Sequence, residues 1–158
     1  MVAAERAGAY KSFIVTLNLI AWMVLIAAAG LGTIHFHECP VQPHIPTYLI
    51  MIGVCGVISL MLAYLKNTLH EGTLSQLCTV SIFGILLFSI GWMLTGTFWV
   101  YSIYPPNYDS SNVRHYCQRT LYLFAFWLNN LCFLCVFIVF TCCVSYLLYK
   151  CVMVAFRP

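Results

Sequence analysis

Residues 12–34 read SFIVTLNLIAWMVLIAAAGLGTI, 23 positions without an ionisable side chain. At about 1.5 Å of rise per residue a helix of this length reaches roughly 34 Å, enough to cross a hydrocarbon core of about 30 Å. Arg6 and Lys11 precede it as the basic region of a signal peptide would. The apolar run, however, greatly exceeds the roughly 7 to 15 residues of such a peptide. It reads as a retained signal anchor and the first of several spans.

Three more apolar runs follow, at 47–65, 77–101 and 121–149, the last long enough to tilt or to project past the bilayer. The polar breaks between spans are 35–46, 66–76 and 102–120. The whole chain supports this reading, being 63% hydrophobic and 7% charged, where soluble domains carry about 25% charged residues. The fold class expected is an all-α membrane protein, a single four-transmembrane-helix bundle over residues 1–158.

An even number of spans puts both termini on one side. Arg6, Lys11, Lys66, Lys150 and Arg157 fall on that side, and Arg114 and Arg119 on the other. Five against two predicts cytoplasmic termini, with the two short loops facing the lumen or the extracellular space. Phe98, Trp99, Tyr101 and Tyr104 fall where span three leaves the core, and Tyr146 and Tyr149 at the other end of span four, as interfacial aromatics do. A plasma membrane location is expected.

That topology sorts the nine cysteines. Each outward loop holds one, Cys39 and Cys117, and outside the cytosol such thiols oxidise. A Cys39–Cys117 disulfide is predicted, closing a loop of roughly 80 residues and stabilising by about 3 to 5 kcal/mol in the chain-entropy model. Cys55, Cys78, Cys132, Cys135, Cys142, Cys143 and Cys151 lie in spans or on the terminal side. The CFLC at 132–135 sits in hydrocarbon with no charge to lower a thiol pKa, so packing is its reading. Cys142, Cys143 and Cys151 approach the membrane boundary, where S-acylation is an alternative to packing.

HFHECPVQPHIP, residues 35–46, offers His35, His37, Cys39 and His44 as metal ligands. A cysteine held in a disulfide has no thiolate to offer. The loop therefore reads as a disulfide-anchored turn with Pro40, Pro43 and Pro46 stiffening the path into span two, and no metal is expected. Metal binding or acid sensing by His35, His37, His44 or His115 stays as the alternative. In the second loop Pro105-Pro106 ends span three, and Asn107, Asp109, Ser110 and Ser111 supply turn chemistry. Tyr104, Tyr108, Arg114, His115 and Tyr116 form an aromatic, mildly basic contact surface.

The spans hold no Asp, Glu, Lys, Arg or His, which argues against ion-coupled transport and embedded hydrolysis. No HExxH, GxSxG or Gly-rich phosphate loop occurs. Neither an enzyme nor a cofactor is expected. No basic stripe tracks phosphates, so nucleic acid is not a partner. What the spans offer are Asn18, Asn129 and Asn130 for interhelical hydrogen bonds, with Gly53, Gly56 and Ser59 for close backbone approach. They serve packing inside the bundle, contact with another subunit, or a pore.

CPVQPHIPTYLI at 39–50 and YPPNYDSSNVRHYCQRTLYLFAFW at 104–127 together resemble the transmembrane protein 272-like family of four-pass membrane proteins. The shared features are Cys-Pro followed by Ile-Pro at span two, the Pro-Asn-Tyr-Asp turn, the lone second-loop cysteine and the TLYLFAFW that opens span four. The resemblance implies the four-span architecture and assigns no reaction. The function expected is a non-enzymatic membrane protein acting through lateral or loop contacts. Membrane lipids and other membrane proteins, or further copies of itself, are its partners. A pore-forming channel subunit is the alternative.

Overall fold

A computed structural model describes residues 2–69, 72–109 and 116–155. Four helices follow in order: α1 (Val2–Ile34), α2 (His44–Thr68), α3 (Thr73–Ser102) and α4 (Arg119–Ala155). Each contains a stretch long and apolar enough to cross a membrane. No regular strand occurs among the described residues. We call the end carrying the two loops the loop end and the end carrying both termini the terminal end.

The helices outrun the spans read from the sequence. The expected break at 66–76 shrinks to residues 69–72, and α1 runs back through Lys11 and Arg6 to Val2. The physical reason is that an ionisable residue marks the edge of hydrocarbon and not the end of a helix; Lys and Arg continue a helix well and extend their heads into water. Pro46 also differs from expectation, lying in the first turn of α2 rather than before it. Its missing N–H is harmless there, because the first N–H groups of a helix have no intrahelical acceptor.

Glycines set the spacing of the first three helices. A Cβ at Gly53 would stand 2.7 Å from the Ala29 nitrogen and the Leu25 oxygen, and one at Gly56 would collide with the Leu25 side chain. From the other side, a Cβ at Gly32 would stand 2.7 Å from the Pro46 oxygen. Backbones of α1 and α2 therefore touch, the close approach that small residues permit in membranes. On α3, Gly96 leaves the space that the Tyr48 ring occupies.

The fourth helix is attached differently. Its first three turns carry Leu121, Tyr122, Ala125 and Leu128 into the core, beside Tyr48, Leu49 and Val100. From Phe133 to Val154 every residue is exposed. The core of the protein thus sits at the loop end.

Candidate functional site

The two loops form one unit. Cys39 and Cys117 are joined in a disulfide across 78 positions of sequence, and both are fully buried. The backbone reinforces the bond on either side. Gln118 N donates to Glu38 O at 2.9 Å, Cys117 N to Asn107 O at 3.0 Å, and Val41 N to Tyr116 O at 3.5 Å. Asn107 Oδ1 accepts from Asp109 N at 2.9 Å, the Asx turn that Pro-Asn-Tyr-Asp encodes. Gln118 Oε1 accepts from Leu121 N at 2.6 Å, satisfying an N–H left free at the start of α4.

On this frame stand the aromatic residues read from the second loop. Tyr104 is 64% exposed and Tyr108 40%; Tyr116 is half-buried. Tyr104 stacks on Phe126, ring centroids 5.9 Å apart, and Tyr108 meets Tyr122 edge-on at 6.5 Å. The Arg119 guanidinium lies 5.9 Å from the centre of the Tyr108 ring, within cation–π range. Arg114, His115, Ser110 and Ser111 lie outside the described residues.

The histidines of the first loop are dispersed. His35 Nδ1 and Glu38 Oε2 are 2.7 Å apart, His37 meets the edge of Phe36, and His44 stacks on Trp99 at 4.9 Å. Among the described residues no three His, Cys, Asp or Glu side chains gather as a metal site would require.

Beneath the loops lies a polar cluster. Asn129, fully buried, accepts at Oδ1 from the Tyr48 hydroxyl at 3.1 Å. Thr97 Oγ1 stands 3.2 Å from the same oxygen and shares its hydrogen with Met93 O at 2.8 Å. One amide on α4 thereby joins α2 and α3. One residue on, Asn130 Oδ1 accepts from Tyr101 OH at 3.0 Å and its Nδ2 donates to Phe126 O at 2.8 Å. Tyr122 OH donates to Val100 O at 3.0 Å. The Asn129 Nδ2 and the Asn18 Oδ1 are buried without a partner among the described residues.

Of the residues singled out from sequence, the structure brings together Cys39, Cys117, Tyr104, Tyr108 and Tyr116 at the loop end. Asn129 and Asn130 lie just below them. Gly53 and Gly56 lie on the α1 interface, and Ser59 lines a cleft farther down. Sequence reading missed Tyr48, Thr97, Gln118 and Arg119. A signal existed for Gln118, three residues before the apolar run of span four, but Tyr48 and Thr97 carry none.

These features define a four-pass membrane protein whose loop face is tied by a disulfide. The chain is similar to the human protein Transmembrane protein 272, 28% identical over 128 aligned residues that cover 68% of each chain. This similarity supports the family resemblance drawn from the loop motifs. No family model matches the chain, and no solved structure matches it.

Proposed function

We propose that the protein is a non-enzymatic plasma membrane protein that acts by association, presenting its loop face outside the cell and its termini to the cytoplasm. The observation that carries this reading is the rigid frame under Tyr104 and Tyr108. A disulfide, two loop-to-loop backbone hydrogen bonds and a third within the second loop hold two exposed aromatic rings in place. Amphipathic rings fixed in advance lose little entropy on binding, and tyrosine is enriched where proteins meet. The partner is a second copy or another membrane protein of the same bilayer.

A photo-crosslinking amino acid placed at position 104 or 108 in cell membranes tests this. Discrete adducts from the loop positions, and none from position 148 on the far end of α4, are expected. Monomer alone from every position would end the reading.

The alternative, a pore-forming channel subunit, draws on Asn18, whose amide oxygen lacks a donor among the described residues. Asn129 and Asn130 are engaged within the bundle. Ion or dye flux through liposomes containing the purified protein tests it.

A further inference from the structure

Below the polar cluster an apolar cleft of about 280 Å³ lies open between the helices. Gly56 and Ser59 of α2, Ser89 and Met93 of α3, and Cys132 and Cys135 of α4 line it. Its size is roughly twice that of the ~150 Å³ apolar cavities that stay dry and admit a benzene ring. It lies at membrane depth, where the surrounding medium is acyl chain.

Two lysines lie on the helix faces that line this cleft, toward the terminal end. Lys66 follows Ser59 by seven residues, about two helical turns, and Lys150 follows Cys132 by eighteen, about five turns. Both helices run from the loop end to the terminal end, and Tyr48 and Asn129 fix their relative level through a hydrogen bond. Lys66 stands about 27 Å below Tyr48 and Lys150 about 32 Å below Asn129 at 1.5 Å per residue. The two cations therefore lie within about 5 Å of each other in depth, near the terminal end and roughly one hydrocarbon thickness from the polar cluster. Tyr64 and Tyr146 accompany them, with the Lys150 ammonium 5.7 Å from the centre of the Tyr146 ring. In the sequence, the terminal end carries Arg6, Lys11, Lys66, Lys150 and Arg157 against Glu5 and Glu71.

We propose that the cleft holds an acyl chain of an anionic phospholipid from the leaflet at the terminal end, with the lipid phosphate at the level of Lys66 and Lys150. The cleft supplies the shape and apolar lining for the chain, and the lysines supply the charge for the headgroup. A zwitterionic lipid fits the cleft equally but gains less from the lysines.

Native mass spectrometry of the purified full-length protein, given equal amounts of phosphatidylserine and phosphatidylcholine, tests this. Retention of phosphatidylserine on the order of tenfold over phosphatidylcholine is expected. The double variant K66Q/K150Q brings the ratio within about twofold of unity, whereas R6Q, which removes a charge at the same end but about 100° around α1 from the cleft-lining Leu25, leaves it unchanged. S89F fills the cleft and lowers retention of both lipids several-fold. C135F repeats that test from α4 if S89F is not recovered with its disulfide formed. Equal retention of the two lipids by the unaltered protein would overturn the proposal. So would a wild-type ratio in K66Q/K150Q, an equal loss in R6Q, or undiminished lipid in the cleft-filled variant.

Discussion

The loop-end and terminal-end halves are made of similarly apolar sequence, yet they are held together by different means. At the loop end four helices meet around buried Tyr48, Tyr122 and Asn129 under a disulfide. At the terminal end α4 runs from Phe133 to Val154 with every residue exposed. Apolar side chains do not drive helices together in lipid, since the tails are as apolar as leucine; close packing and hydrogen bonds do. The loop end has both, and the far half of α4 has neither. The difference teaches that stability in this molecule follows the polar and small residues, not hydropathy.

The largest effect that would break this contrast is loss of the staple. C39A/C117A, which removes both thiols, is expected to cost about 3 to 5 kcal/mol in reversible unfolding in mixed micelles. A faster gel mobility of the unaltered protein without reductant, absent in the variant, confirms the bond itself. A cost under 1 kcal/mol would mean that the hydrogen bonds flanking the disulfide already hold the loops unaided.

Next is the contact between α1 and α2. G53V sets a branched side chain where a single Cβ already stands 2.7 Å from the Ala29 nitrogen and the Leu25 oxygen. The neighbouring atoms are backbone and cannot swing aside, so a loss of about 1 to 3 kcal/mol is expected. G84V, on α3 where a Cβ meets nothing within 4 Å, is the matched control and should change little.

Third is the amide that links three helices. N129A removes the acceptor of the Tyr48 hydroxyl and leaves that buried group unpaired, at about 1 to 2 kcal/mol. Adding Y48F removes the orphaned donor as well and should recover part of the loss. Additive costs from the two substitutions would show that the bond does not couple the helices.

These residues also show where sequence sufficed. The four spans were legible because lengthy charge-free runs have few other uses. Cys39 and Cys117 were legible because each is the lone cysteine of its loop and the alternation of four spans puts both loops on one side. The partners of Asn129 were not: which residues of α2 and α3 it meets depends on the rotation of each helix about its axis, and spans that are apolar all round leave that rotation unmarked. For the same reason nothing in LCFLCVFIVF distinguishes its first residues, which meet the bundle, from its last, which do not. Hydropathy records that a side chain avoids water, and both lipid and protein satisfy that.

The smallest expected effect is the most direct test of the contrast. Phe137 and Leu148 are large, apolar and 64% and 61% exposed. In a soluble core, truncating such residues would cost about 2 to 5 kcal/mol. Here F137A and L148A exchange contacts with lipid for contacts with lipid, so each should shift stability by no more than about 0.5 kcal/mol. Y122F, which removes one oxygen and strands the Val100 carbonyl, should cost about 1 kcal/mol despite deleting far fewer atoms. Measured side by side in one micelle system, a cost for F137A that equals or exceeds that of Y122F would show that the far half of α4 is packed against protein, and the division into two halves would fall.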